Sequence, residues 1–161
     1  MGLSKAYFAG GCFWGVEFLF QKQIGVLEVV SGYMGGDIEN PTYEIVCSGF
    51  SGHLEVVEVI FDESIVSYET LVKLFFEIHD FTQTNGQGPD IGTQYLSAIF
   101  YCDENQKNIA EDLIVQLEEK AYKVATTLRP KVKFYKAESY HQNYYNKSGK
   151  TPYCHSYRKV F

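Results

Sequence analysis

The stretch KAYFAGGCFWGVEFLFQKQ, Lys5 to Gln23, sets the class of fold. Residues 5–9 read as a short strand, and Gly10-Gly11 close it. From Phe13 the period changes: Phe13, Val16 and Phe20 recur at helical spacing, so a helix is predicted over residues 13–23. Between the two elements stands Cys12, directly after the paired glycines.

Outward from that junction the chain keeps alternating between the two periods. Residues 26–33 read as a second strand, ended by Gly35-Gly36. Residues 53–62 form a third, rich in β-branched side chains. Ser67 can cap a helix whose inward stripe is Leu71, Leu74, Phe75 and Ile78. Residues 94–102 are a fourth predicted strand. Asp103 with Gln106 makes a capping box for a helix reaching Lys120, with Ile109, Leu113 and Leu117 inward. Residues 131–136 read as a last strand, followed by a short aromatic helix or turn over 138–146. The order β-α-β-β-α-β, then α-β and a tail, predicts an α+β two-layer sandwich with a ferredoxin-like core and a C-terminal extension. One folded domain is expected over residues 1–146. The polar stretch 147–161, with Gly149 and Pro152, is expected to be a flexible tail.

A chain of 161 residues suits a single core. The net charge of −6, with no basic stripe, excludes a nucleic-acid affinity built on phosphate neutralisation. No apolar run approaches the ~20 residues of a spanning helix. Lys5, the glycines and Glu17 interrupt any signal-peptide core. A cytoplasmic location with no membrane partner is therefore expected. Thirteen Tyr, twelve Phe and one Trp exceed the needs of a small core and point to a ring-lined site. Two long connections, residues 31–52 and 80–93, carry Tyr43, Cys47 and Asp90 and read as functional loops.

Four cysteines are present, at 12, 47, 102 and 154. None forms a C-x-x-C pair or finger-like spacing with His, so a structural metal is not expected. Thiols in a reducing compartment stay reduced unless they do chemistry. Cys12 is the leading candidate, because two glycines admit a close ligand and a helix N-terminus favours a thiolate. The alternative is a buried packing cysteine. Glu55 shares a strand face with Val57, Val59 and Phe61, where desolvation would keep it protonated and able to act as an acid. Its alternative is a solvated strand end. Tyr43, in the long loop, and Tyr95, at the start of the fourth strand, carry phenols able to donate to a substrate oxygen. Phe13 and Trp14 can wall the thiol. Cys154, in the tail between Tyr153 and His155, can reach another sulfur and form a transient disulfide. Cys47 and Cys102, in apolar surroundings, are expected to be inert small hydrophobes.

Gly11-Cys12-Phe13-Trp14-Gly15-Val16-Glu17 resembles the active-site signature of the A-type peptide-methionine sulfoxide reductases. NPTYEIVCSG at residues 40–49 and GHLE at 52–55 resemble that family's next two blocks. His79-Asp80, Thr82-Gln83, Gln87-Gly88, Asp90 and Gly92-Thr93-Gln94-Tyr95 resemble a fourth, and Tyr140-His141-Gln142 a fifth. The blocks fall in order and span about residues 5–146. The resemblance implies reduction of methionine S-sulfoxide, free or in oxidised proteins, to methionine. It places the nucleophile on Cys12, the proton donor on Glu55, oxygen-binding phenols on Tyr43 and Tyr95, a supporting carboxylate on Asp90, and a methyl pocket on Phe13 and Trp14. Cys12 would become a sulfenic acid and Cys154 would resolve it to a disulfide. Thioredoxin, or dithiothreitol in vitro, would then reset the enzyme, with no metal and no tightly bound cofactor. A monomer is expected. Phe81 and Leu96 depart from the family's usual Pro and Arg, beside the fourth block, where they could alter substrate access.

Two other readings stay open on the residues. A thiol peroxidase using Cys12 and Cys154 would need a cation near the thiol, and Lys5 is the nearby candidate. A ferredoxin-like binding module would use its rings to grip an apolar peptide.

Overall fold

The structure is a computed structural model and describes residues 2–152 and 155–161. Four strands form its centre: β1 (Leu3–Gly10), β2 (Val26–Met34), β3 (Leu54–Asp62), and a later strand, Ser97–Tyr101. Two short strands, β4 (Gly86–Gln87) and β5 (Asp90–Ile91), pair separately as a hairpin, so Ser97–Tyr101 is β6. The central strands lie in the order β6-β1-β3-β2, each antiparallel to its neighbours. Helix α1 (Phe13–Gln21) carries the chain from β1 to β2 across the intervening β3, a split βαβ unit. A short helix, α2 (Tyr43–Cys47), interrupts the first long connection. Helix α3 (Tyr68–Glu77) precedes the hairpin, and α4 (Glu104–Glu119) follows β6.

Alternation along the strands decides the layers. Ala6 and Phe8 on β1, with Val57, Val59 and Phe61 on β3, join the main core. There they meet Phe20 of α1, Leu71 and Phe75 of α3, and Leu113 and Leu117 of α4. Phe8 stacks between Phe20 and Phe75 at ring-centre distances of 5.0 and 5.2 Å. The intervening side chains, Tyr7, Ala9, Leu54, Val56 and Phe100, form a smaller cluster on the other face. The caps form as the sequence requires. Ser67 Oγ accepts from Thr70 N–H at 3.1 Å, and Asp103 Oδ1 from Gln106 N–H at 2.8 Å. Gln106 does not close the box, because its amide accepts from Cys102 N–H and donates to Lys5 O, tying α4 to β1.

The C-terminal third departs from the expected pattern. The single strand predicted at residues 131–136 is replaced by two on opposite sheet edges. Strand β7 (Thr127–Pro130) runs parallel to β6, and β8 (Tyr135–Lys136) pairs with β2. The intervening chain crosses the second face, where Phe134 packs on Tyr7 at 5.5 Å. Burying that face outweighs continuing one strand. A 3-10 turn at Ser139–His141 and helix α5 (Tyr144–Ser148) follow, broken at Asn143, whose φ is +58°. Residues 155–161, expected as part of a flexible tail, pack on α3. Arg158 N–H donates to Glu77 O at 2.7 Å, and Val160 is buried.

Candidate active site

Cys12 is the N-cap residue of α1 and is 7% exposed. The turn that presents it needs Gly11, whose φ of +94° lies in the left-handed region and whose missing Cβ would overlap Gln87. Gln87 is itself fixed, since its amide accepts from Asp80 N–H at 2.7 Å and donates to Asp80 O at 2.8 Å. Beside Cys12, Phe13 N–H donates to Glu55 Oε1 at 3.1 Å. One hydrogen bond thus joins the start of α1 to β3.

Glu55 lies on the helix-covered face of β3 and is 2% exposed. Burial pushes its carboxyl up to about 8, with the Phe13 N–H pulling it down and the Asp90 charge pushing it up further. It is therefore neutral near pH 7. Oε2 is buried and has no hydrogen-bond partner among the described residues. A buried carboxylic acid with one oxygen tied and the other uncommitted has a proton to give.

Two phenols share its surroundings. Tyr43 is the first residue of α2, whose N-terminus is capped by Thr42 Oγ1 accepting from Ile45 N–H. Tyr95 lies in a 3-10 turn, Thr93–Tyr95, rather than in the strand predicted from Gln94, which begins only at Ser97. The Tyr95 N–H closes that turn on Gly92 O, turning the backbone out of strand geometry. Burial, a hydrogen bond with Cys47 and the fields of Glu55 and Tyr95 hold the Tyr43 hydroxyl well above the usual phenol range. Burial and the fields of Glu55, Cys47, Asp90 and Cys12 do the same for Tyr95. Both phenols stay protonated. Asp90 sits half-buried at the start of β5, opposite Gln87 in the hairpin. The structure thus brings Cys12, Glu55, Tyr43, Tyr95 and Asp90 into one electrostatic neighbourhood.

The wall is aromatic. Phe13, 1% exposed, tilts against Tyr33 and His141 at 5.6 and 5.2 Å. Trp14, half-buried, stacks on Tyr144 with ring centres 3.8 Å apart. The Trp14 indole N–H donates to His141 Nδ1 at 3.0 Å, which leaves the imidazole proton on Nε2. Tyr43 and Tyr140 pack on the same imidazole at 4.4 and 4.1 Å.

His141 and Tyr144 are therefore parts of the wall that the sequence reading assigned no role. Three further side chains hold it in place. Glu138 accepts from Tyr33 Oη–H at 2.8 Å and from Tyr43 N–H at 2.9 Å. Gln142 pairs with Ser31 as a strand residue would, accepting from its N–H at 2.9 Å and donating to its O at 2.8 Å. Glu17, buried in α1 and raised to about 7 mainly by that burial, accepts from Asn143 N–H at 2.8 Å. The block Tyr140-His141-Gln142 and Glu17 at the end of the first block were sequence signals for this group, and neither carried an indication of partners more than a hundred residues away.

Several expectations need correction. Cys47 and Cys102 are exposed rather than buried. The first ends a surface helix beside Tyr43, and the second donates its S–H to Lys5 O at 3.5 Å. Phe81 is wholly buried between Phe76 and Tyr122, so it shapes the core and not substrate access. Lys5, the cation a peroxidase reading needs, reaches Glu58 at 3.8 Å on the sheet face opposite Glu55. Cys154 lies outside the described residues.

The sequence profile of the family described as peptide methionine sulfoxide reductase matches residues 4–160. The chain belongs to that family. The MsrA enzyme of Nautilia profundicola is 51% identical over 152 residues, covering 94% of this chain and 88% of the relative. The reduced form of Mxr1 from Saccharomyces cerevisiae superposes with a TM-score of 0.90 at 32% identity, covering 97% of this chain and 92% of the yeast chain. The yeast protein has also been solved in complex with Trx2. That structure shares the fold at 21% identity, with a TM-score of 0.64, covering 97% and 90% of the two chains. Like these relatives, the chain is an oxidoreductase of oxidised methionine and thus a protein-repair enzyme. No helix among its described residues is long and apolar enough to cross a membrane.

Proposed function

We propose that the enzyme reduces methionine S-sulfoxide, in oxidised proteins or as the free amino acid, with Cys12 as nucleophile and Glu55 as the proton donor. The carrying observation is the neutral Glu55 carboxyl, tied by one oxygen to the residue beside Cys12 and without a partner at the other among the described residues. The Cys12 thiolate attacks the sulfoxide sulfur while Glu55 gives its proton to the oxygen, with Tyr43 and Tyr95 donating to that oxygen as negative charge grows. Oxygen then passes to Cys12, so methionine leaves and a cysteine sulfenic acid remains. Phe13 and Trp14 receive the methyl group, and an apolar wall gives a charged substituent nothing. Asp90 supports the site through its charge beside Glu55.

Recycling is assigned to Cys154. Its thiol attacks the sulfenic sulfur, forming a disulfide and releasing water, and a thioredoxin dithiol reduces the disulfide. Mxr1, found in complex with Trx2, supports a thioredoxin as the reductant here.

An assay with both diastereomers of an acetylated methionine sulfoxide tests the reading, first with dithiothreitol and then with thioredoxin. The S form should be reduced with both reductants, and Cys12→Ser should form no methionine in either assay. Methionine formed by the serine variant at the wild-type rate would end this reading.

A further inference from the structure

The C-terminal segment crosses the turn that carries Cys12, and one ring seats it there. His155 is buried, and its Nε2–H donates to Gly10 O at 2.6 Å. The ring occupies space that Gly15 leaves open. A Cβ on Gly15 would overlap its Nδ1 and Cγ, and a Cβ on Gly11 would stand 3.5 Å from its Nε2. Gly15 therefore leaves the seat that His155 fills, against the Gly10 carbonyl and beside Gly11. Burial holds the imidazole below its usual range, with the Gly10 carbonyl pulling the other way, as suits a neutral ring that donates one N–H.

The far end of the segment is tied separately. Glu77 Oε2 accepts from Val160 N–H at 3.0 Å, Glu77 O from Arg158 N–H at 2.7 Å, and Lys120 Nζ donates to Val160 O at 2.7 Å. None of these contacts is needed for oxygen transfer, whose donors sit on β3, α2 and the 93–95 turn. They fix the course of the chain segment that follows Cys154 in the sequence.

We propose that His155 is the positioning residue of the recycling step: by seating the C-terminal segment on Gly10 and Gly15, it sets the rate at which Cys154 resolves the Cys12 sulfenic acid. The inference rests on the recycling reading given above. In the step itself the Cys154 sulfur bonds to the Cys12 sulfur and the S–O bond breaks. The departing hydroxide takes the thiol proton and leaves as water. The oxidising equivalent is the one already delivered by the sulfoxide, so no further oxidant enters. Holding one end of the reacting chain turns a diffuse encounter into an oriented one.

The experiment compares wild type, Cys154→Ser, His155→Ala, His155→Asn and His155→Gln. It measures the methionine burst by rapid quench, thiol loss after one turnover, and steady-state rates with thioredoxin and with dithiothreitol. His155→Ala should keep a burst of one methionine per enzyme at the wild-type rate. Its disulfide formation and thioredoxin-driven turnover should fall at least tenfold, while dithiothreitol, which reduces a sulfenic acid directly, still supports turnover. His155→Asn, too short to reach Gly10, should repeat that loss in a polar side chain. His155→Gln, whose amide can donate to the Gly10 carbonyl, should recover most of it. Disulfide formation within twofold of wild type in both His155→Ala and His155→Asn overturns the inference, as does a burst slowed as much as recycling. Thioredoxin turnover surviving in Cys154→Ser would instead refute the recycling reading. Loss in Cys154→Ser with none in the His155 variants refutes the positioning role alone.

Discussion

The turn at Gly10–Phe13 and the stretch from Glu138 to Tyr144 face the same pocket but are held by opposite means. The first is the seam between a strand and a helix, set by the pairing of β1 with β6, by the first turn of α1 and by Phe13 N–H on Glu55 of β3. The second is irregular backbone kept in place by side chains from far along the chain. Glu138 bridges Tyr33 and Tyr43, Gln142 stands in for a strand partner of Ser31, and Glu17 holds Asn143. Each of these side chains satisfies main-chain or phenolic groups that the sheet and helices leave open. The pocket therefore has a wall that folds locally and a wall that forms only once the tertiary structure has closed around it.

The largest effect is expected on the local side. Glu55→Gln should slow the first turnover about 10²–10⁴-fold, the range a positioned acid contributes, measured as methionine formed in single-turnover quench. In wild type that rate should fall as pH rises through about 8, where Glu55 loses its proton. The variant should show no such limb. The stability sign follows from the same carboxyl. The folded chain keeps a proton to about 8 that the unfolded chain releases near the ordinary carboxyl value of 4.5. Glu55 therefore favours folding fully below that lower value and loses this contribution as pH rises to about 8. The stability of Glu55→Gln relative to wild type should grow over that window and level off above it, as followed by thermal melts.

The long-range wall is tested by Gln142→Ala, which removes three hydrogen bonds and strips the buried Ser31 N–H of its acceptor, while Ser31 O keeps the Ala137 N–H. A loss of about 2–3 kcal/mol is expected by urea unfolding. A change under about 0.5 kcal/mol, the scale of an ordinary surface substitution, would erase the contrast between the two walls. Asp103→Ala sets the lower end of the scale. It removes the N-cap of α4, far from the pocket, and should cost about 1 kcal/mol while turnover is unchanged.

The same division explains what could be read along the chain. The longer strands and helices through residue 120 came from periodicity and caps, as Ser67 and Asp103 illustrate, because those signals lie within a few residues of the element they specify; α2 and the β4–β5 hairpin, inside the two connections read as loops, did not. Glu55 was legible because alternation along β3 placed a carboxyl on an apolar face. Tyr95 was assigned to a strand because its outward turn depends on Gly92 and the hairpin, not on its own propensity. Beyond residue 130 the predicted strand held only at its C-terminal end, Tyr135–Lys136. The choice between two sheet edges was made by the apolar second face that Phe134 covers, a surface that exists only once the sheet is assembled. Cys47 and Cys102 looked buried because their sequence neighbours are apolar, whereas exposure depends on which side of an element faces out.

The order of periods, the glycine pair before Cys12 and the carboxyl at residue 55 were written in the chain, because each acts through backbone geometry or a face pattern a few residues long. Tertiary structure alone raised that carboxyl to about 8, since its pKa depends on the burial around it. It likewise placed His141 beneath Trp14, and it set His155 on Gly10 from 145 residues away. Such contacts join groups that no local rule connects, and they form when the closing fold removes water from both partners at once.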